Sequence, residues 1–538
     1  MPNLLTEPIL TLSSTGPATL PGLLAALARD AVDDFPALRP HQDPAWHMFL
    51  VQLAAIALHR AGQSDPPTGE EEWRGLLRAL TPDFPDDEPW RLVVADHAKP
   101  AFLQPAVPPG VTLGNPAETP DAIDLLITAK NHDLKQAVAR DAGAEDWVFA
   151  LVSGQTGDGY NGAGNYGISR MNGGSSSRPL LGLAPAAPGK TMSPRLGAWF
   201  RRDVRALLAA RADSLEELEP ATEAFAEEGG HALLWLLPWP EGNQLRLAQL
   251  DPWYVEVCRR VRLSRAGGRI VAHRGTSKAA RVDAKQANGV VGDPWAPVHK
   301  TENKSLTLAG RDFHYGLLSE LLFSGTWALP LLARPAPFES ARTPFLLVAA
   351  ALARGNSKTE GFKRRELPLD ARVAHAMADA NGRLKLADLA KRQIEEIKRF
   401  DKALRGALAV VAAGGAWDGV TKEHYAHANA ASDRFDRAVD GLFFPHLWAR
   451  FDAQEAGEEA TEAARDAFAR ALWTEAKALF EAALPAVPCH ARLRPRAEAR
   501  ARRRLWGDTD LRAHFSTLFD APPRKVTADA AAHNAAAE

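Results

Sequence analysis

The chain is poor in cysteine. Cys258 and Cys489 are its only two, so neither a disulfide framework nor a cysteine-rich zinc site can be assembled. Long apolar runs are missing as well. The stretches from Pro344 to Ala353 and from Ala232 to Trp239 are the most apolar, and both fall short of the roughly 20 residues that cross a bilayer. No cationic start with an apolar signal segment precedes Leu4, so a cytoplasmic location without membrane contact is expected. Catalytic signatures are equally scarce: there is no His-Glu-x-x-His, no Gly-x-Ser-x-Gly with suitable flanks and no paired-cysteine zinc motif. The 16 histidines are scattered. The expectation is a protein with no catalytic residues, no metal and no cofactor.

What is present is enough for a large globular protein. At 538 residues, with 46% apolar and 24% charged residues, the chain exceeds what one core supports, and two or three domains are expected. A formal net charge of -2 argues against a surface that coats nucleic acid throughout, but the charges are segregated. Twelve Lys or Arg lie between Arg259 and Arg311 against three acids, Asp283, Asp293 and Glu302, which makes this stretch a candidate docking surface for a polyanion. Acids gather elsewhere, in Glu70 to Glu72 and Asp83 to Glu88, within Pro-rich stretches that read as surface loops.

The fold class expected is α+β. Residues 1–368 alternate short apolar runs with Gly and Pro and read as an irregular mixed α/β domain. One clear helix is predicted from Pro44 to Arg60, on which Trp46, Phe49, Leu50, Leu53, Ile56 and Ala57 recur at helical spacing. Residues 369–520 turn Ala-rich, Leu-rich and charged and read as a four-helix bundle, with segments near 369–413, 420–450, 457–484 and 495–518. Gly414-Gly415, Pro445 and the region from Pro485 to Pro488 supply breaks between or within them. The tail 521–538 has nothing to bury and is expected to fray.

Four stretches stand out as candidate sites. Ser153 to Ser177 carries eight glycines among Asn, Ser and Tyr; such a run lets backbone approach a ligand and offers amide groups to phosphate or base-edge oxygens, although it also fits a flexible surface loop. It matches no P-loop, and Gly157-Asp158-Gly159 does not open a dinucleotide fold. Lys130-Asn131-His132-Asp133-Leu134-Lys135 places Asn, His and Asp in succession, which suits a metal site or a general base or a plain loop. Arg354-Gly355-Asn356-Ser357-Lys358-Thr359-Glu360-Gly361, followed by Lys363-Arg364-Arg365, comes after an apolar run, Leu346 to Leu352, that reads as helix-like, so its polar groups sit at the end of a rigid element. The fourth is the arginine cluster from Arg492 to Arg504, either a track for nucleic-acid backbone or a solvated face.

Three further motifs carry a resemblance. Asn3-Leu4-Leu5-Thr6-Glu7-Pro8, then Leu38-Arg39-Pro40-His41-Gln42 running into Trp46-His47-Met48-Phe49-Leu50-Val51-Gln52-Leu53, and Pro100-Ala101-Phe102-Leu103-Gln104-Pro105 resemble the amino-terminal part of the CasA family, the large subunits of type I-E CRISPR Cascade complexes. They occur in order with the Gly-rich stretch and the basic turn near 356, so the resemblance covers essentially the whole chain.

The resemblance implies an irregular α/β domain followed by a four-helix bundle. It implies a non-catalytic subunit that binds the short protospacer-adjacent motif in double-stranded target DNA, helps start strand separation and R-loop formation with a guide RNA, and recruits a trans-acting helicase-nuclease. Its partners would be the guide RNA and the other Cascade subunits, namely backbone, guide-end-binding and small subunits.

Carried onto this sequence, the family's glycine loop falls on Tyr160, Asn161, Gly162, Ala163, Gly164 and Asn165. Its wedge falls on Asn356, Ser357 and Lys358, with lysine where some members have glutamine. The groove-reading lysine of the family falls just before Asn288-Gly289; ungapped, the position is Val282, with Lys278, Arg281 and Lys285 nearby, and Lys285 is preferred. Lys130, Asn131 and His132 match the loop that contacts the guide or a neighbouring subunit. Arg364, Arg365, Arg500 and Arg503 are assigned to the DNA backbone. Some relatives carry a cysteine zinc site that this chain lacks. Two other readings stay open: a metal-dependent nuclease using His132 and Asp133, and a scaffold subunit without motif recognition.

Overall fold

In a computed structural model of the chain, the residues described are 2–114, 116–125, 142–186, 193–213, 223–340, 343–355 and 358–519. The tail 521–538 lies outside them. Two compact units emerge, the first Met1–Phe313 with Glu320–Asp379 and the second His314–Ser319 with Ala380–Glu538. The first is an irregular α+β domain and the second a helical bundle.

The first unit is built around one helix. Helices α1 (Leu20–Ala28), α2 (Asp43–Arg60), α3 (Glu70–Ala79), α4 (Ala144–Thr156) and α5 (Leu196–Asp213) are interspersed along the chain with short strands. In α2 every residue from Pro44 to Leu58 is buried, so the apolar spacing legible in the sequence is one part of a helix that is covered on all sides, as expected at the centre of a large core. Its two buried polar side chains are satisfied. His47 Nε2 lies 2.9 Å from Asp203 and its ring stacks on Trp199, while Gln52 donates to the carbonyls of Trp253 and Tyr254 at 2.9 and 3.1 Å. Gln104 serves in the same way: it donates to the Leu92 and Phe102 carbonyls, both at 3.0 Å, and accepts from the Leu263 amide at 2.6 Å.

The strands form several small sheets rather than one. Strands β1 (Leu10–Leu12) and β2 (Gly16–Ala18) pair antiparallel. Strand β3 (Leu180–Pro185) joins a three-stranded sheet; β4 (His231–Leu233) pairs parallel with β6 (Leu250–Val255), and β5 (Leu245–Arg246) pairs parallel with β9 (Val282–Asp283). Strands β7 (Arg260–Ala266) and β8 (Arg269–Gly275) make a hairpin. A small sheet holds β10 (Val298–His299), β11 (Lys304–Ser305) and β12 (Trp327–Ala328). The longest ladder pairs β13 (Phe345–Gly355) with β14 (Lys358–Leu369), and β13 also pairs with β3.

Three expectations need correction here. Leu346 to Leu352 is not helical but lies in β13, and every residue of the run is buried. A short apolar run covered on both faces carries no periodicity that separates strand from helix. Glu70 to Glu72 is not a loop but the first turn of α3, where acids complement the helix dipole. Glu88 is buried and ion-paired with Lys99 rather than part of an exposed loop. The helix α6 (Ala371–Ala378) closes this unit, with the Asp370 side chain capping it through the Val373 amide at 2.8 Å.

In the second unit α7 (Ala380–Ala412), α8 (Lys422–Ala426), α9 (Asn429–Ala456), α10 (Glu458–Ala483), α11 (Arg494–Trp506) and α12 (Thr509–His514) follow in order. Phe400, Leu404, Phe443, Leu447, Phe468, Leu472 and Phe480 fill its core. Gly414 and Gly415 have φ of 63° and 87°, and the Gly415 amide reaches back to the Val410 carbonyl at 2.8 Å, the left-handed stop that glycine permits. Pro445 breaks nothing: it sits inside α9.

Candidate nucleic-acid interface

The Gly-rich stretch begins where α4 ends and is a folded loop. At Gly159 a Cβ would lie 2.3 Å from the Ser176 carbonyl oxygen and 2.4 Å from that of Gly174, so the loop's two arms touch backbone to backbone and only glycine fits. The tip closes with the Asn161 amide donating to the Asn165 carbonyl at 2.9 Å and the Asn165 amide to the Gly162 carbonyl at 3.0 Å. Tyr160, Asn161 and Ala163 are exposed. Gly162, at φ 96°, has nothing within 4 Å of a Cβ position, whereas at Gly164, φ 80°, a Cβ would lie 2.6 Å from Thr276 Cβ.

That contact brings the loop against the segment that follows β8. The Ser277 amide donates to the Gly164 carbonyl at 3.0 Å and the Tyr166 hydroxyl to the Lys278 carbonyl at 3.1 Å. Lys278 is exposed, its own amide held by Glu241 at 2.6 Å. Lys285 is exposed too and precedes Asn288 and Gly289, with φ of 48° and 75°. A Cβ on Gly289 would stand 2.7 Å from the Met171 carbonyl carbon, so this turn packs on the far arm of the same Gly-rich stretch. The loop and the segment bearing Lys278 are therefore joined by two direct hydrogen bonds, Ser277 to Gly164 and Tyr166 to Lys278.

A carboxylate that the sequence did not mark organises the loop from below. Asp158 is buried; its Oδ2 accepts from Arg259 at 2.6 Å and from Asn161 at 2.7 Å, and Arg354 Nη1 stands 3.5 Å from its Oδ1. Arg259 also donates to the Gly159 carbonyl at 2.6 Å and to the Tyr166 carbonyl. Burial pushes the Asp158 carboxyl up, against the pull of Arg259 and Arg354. On the far arm the Ser169 amide and hydroxyl both donate to Glu256, at 2.9 and 2.5 Å. Asp158 was visible only as a residue between two glycines, a pattern whose dinucleotide reading fails.

The basic stretch from 259 to 311 is corrected by burial. Arg260, Arg262 and Arg281 are core residues. Arg262 donates to the Lys99, Val94 and Asp96 carbonyls at 2.8 to 3.0 Å, and Arg281 to those of Leu234, Leu237 and Pro238. Burial pushes both guanidiniums down to about 10. These arginines tie loops together and offer nothing to a polyanion, whereas Lys278, Lys285, Lys300 and Arg311 are exposed. One-dimensional charge counting cannot distinguish the two groups.

The remaining assigned residues are placed less uniformly. Asn356 and Ser357 lie outside the described residues, as do Lys130, Asn131, His132 and Asp133; Lys358 is described only as the backbone partner of Gly355 at the end of the β13–β14 ladder. Arg364 is ion-paired with Asp43 and, at 2.8 Å, with Glu366. Arg365 stands opposite Ala349 in the ladder. In the second unit Arg500 donates to the Gly415 carbonyl at 2.8 Å, while Arg503 is exposed on α11. Among the described residues no group of three or more His, Cys, Asp or Glu is placed to hold a metal ion, and no helix is long and apolar enough to cross a membrane.

No protein-family model and no curated protein matches the chain. Solved structures are similar over nearly its whole length. The crystal structure of CRISPR-associated protein Cse1 from Acidimicrobium ferrooxidans aligns with a TM-score of 0.59 at 16% identity, covering 96% of this chain and 99% of that one. CasA of Thermus thermophilus gives 0.56 at 16%, covering 94% and 98%, and Cse1 of Thermobifida fusca gives 0.56 at 15% with the same coverage. The fold is Cse1/CasA-like.

Proposed function

We propose that this chain, with its Cse1/CasA-like fold, is the non-catalytic large subunit of a CRISPR Cascade complex. In this reading it recognises a short motif in duplex DNA beside the target, starts strand separation for a guide RNA and recruits a helicase-nuclease. The observation that carries the reading is the joining of the exposed loop 160–165 to the segment bearing Lys278. An exposed lysine beside a glycine tip with open backbone suits a duplex groove: the cation answers phosphate, and side chains and amides at the tip reach base edges. Lys285 adds charge on the adjoining turn. Asn356, Ser357 and Lys358 act as the wedge between the first base pairs, and Arg364, Arg365, Arg500 and Arg503 lie along the backbone.

The test uses the complex assembled with its guide RNA. Replacing Asn356, Ser357 and Lys358 together by Ala is expected to abolish guide-directed strand opening and leave assembly intact. Binding to a library of motif duplexes is expected to show preference for a small set of sequences. Equal binding to all of them points to a scaffold subunit, and normal opening by the triple variant removes the wedge assignment.

A further inference from the structure

The Gly-rich loop and the β13–β14 hairpin share one buried polar cluster. Arg354 is the second-last residue of β13 and is buried. Its guanidinium donates to Asn161 Oδ1 at the loop tip and to the Leu125 carbonyl, and stands 3.5 Å from Asp158 Oδ1. Asn161 in turn donates to Asp158 at 2.7 Å, closing a triangle of loop tip, loop base and hairpin. The backbone of the same hairpin strand is held by the far arm of the loop: the Leu352 amide donates to Ser177 Oγ at 2.7 Å, the Ser177 amide to the Leu352 carbonyl at 3.2 Å, and the Ser175 and Ser176 hydroxyls face the Arg354 carbonyl at 3.4 Å. Among the described residues Asp158 Oδ1 and Arg354 Nε, although buried, have no hydrogen-bond partner. The pair at the centre of the cluster is therefore incompletely matched, which is costly in a low-dielectric interior.

We infer that Arg354 is a positioning residue, a latch that transmits occupancy of the loop 160–165 to the hairpin whose adjoining turn is assigned as the wedge, so that strand opening depends on the motif being bound. This rests on the function proposed above. The Arg354 side chain touches the tip of one element from the strand of the other, whereas the serine bonds reach only the loop's far arm. Removing it leaves the loop base held by Arg259 and the far arm of the loop still bonded to the hairpin strand through Ser177, and takes away the contact between the loop tip and the hairpin.

The test uses Arg354→Gln and Arg354→Lys in the assembled complex with two motif duplexes. In one the strands are crosslinked beside the motif and report binding without opening; the other carries 2-aminopurine at the first target position and reports opening. For Arg354→Gln, affinity for the crosslinked duplex is expected within twofold of wild type while the opening rate falls at least tenfold. The rate recovers when the first pairs beside the motif are already mismatched. Arg354→Lys keeps the charge facing Asp158 but cannot reach Asn161 and the Leu125 carbonyl together; it is expected to open three- to tenfold more slowly, and it stands in if the Gln variant does not assemble. Parallel loss on both duplexes, or opening at the wild-type rate, overturns the latch. A wild-type complex that binds neither duplex better than one lacking the motif refutes the proposed function instead, and the latch with it.

Discussion

Gly164→Ala separates backbone conformation from steric contact in the loop, because its neighbour Gly162 has the first without the second. Both residues have positive φ, 80° and 96°, and placing Ala in that region costs about 1–2 kcal/mol. At Gly162 the new methyl meets nothing within 4 Å, whereas at Gly164 it would stand 2.6 Å from Thr276 Cβ and 2.9 Å from its Cγ2. Forcing such a contact adds roughly 1–3 kcal/mol. Gly164→Ala should therefore destabilise the loop by about 2–5 kcal/mol and Gly162→Ala by about 1–2. Amide hydrogen exchange over 158–178 reads the local opening free energy directly. With about 1.4 kcal/mol per factor of ten, the Gly164 variant should exchange roughly 5- to 150-fold faster than the Gly162 variant. Thr276→Gly removes both offending atoms and should bring the double variant back to the Gly162→Ala level. Equal exchange in the two single variants, or no recovery in the double, refutes the contact.

Other outcomes follow from burial and charge. Lys278→Ala and Lys285→Ala are each expected to lower the salt dependence of duplex binding by about 0.9 in the log–log slope; Arg262→Met should leave the slope unchanged and lower stability in urea by roughly 3 kcal/mol, since it strips three carbonyls of their donor. Burial pushes the Cys258 thiol up to about 12, and Cys489 is partly exposed, so iodoacetamide should label one thiol in the native protein and two in denaturant. Burial raises the Asp87 carboxyl, but the hydrogen bonds from Arg78 and Asn3 outweigh it and hold the group below the usual carboxylate range. A depressed folded pKa gives stability that is present above the unfolded value, near 3.9, and is lost as pH falls through the folded one. The stability gap between wild type and Asp87→Asn, measured by urea unfolding, should shrink between pH 6 and pH 3; a constant gap contradicts the ion pair.

Fold class was legible because it rests on texture: the long helices after residue 379 have apolar periodicity that only packing in a bundle explains, and α2 lacks any breaker between Pro44 and Arg60. The β13 strand was not legible, since an Ala- and Leu-rich run has high helix propensity and its strand state is imposed by partners on both edges. The loop was visible as glycine, but not what holds it, because Asp158, Arg259 and Arg354 meet across sequence separations that no local pattern encodes. The quoted motifs prove to be largely architectural: His47, Gln52 and Gln104 satisfy buried backbone or side-chain groups.

The β13–β14 ladder runs from Phe345↔Leu369 to Gly355↔Lys358, with one register shift between Ala353 and Arg354. At about 3.4 Å per residue in an antiparallel pair it is roughly 35 Å long. Such a ribbon is a splint: β13 is buried from Phe345 to Arg354, paired with β3 over Phe345 to Ala350 and bonded to Ser177 at Leu352. Movement at its turn is therefore shared with the Gly-rich stretch, whose Ser175, Ser176 and Ser177 hydroxyls bond the strand at Arg354 and Leu352: the two travel as one piece.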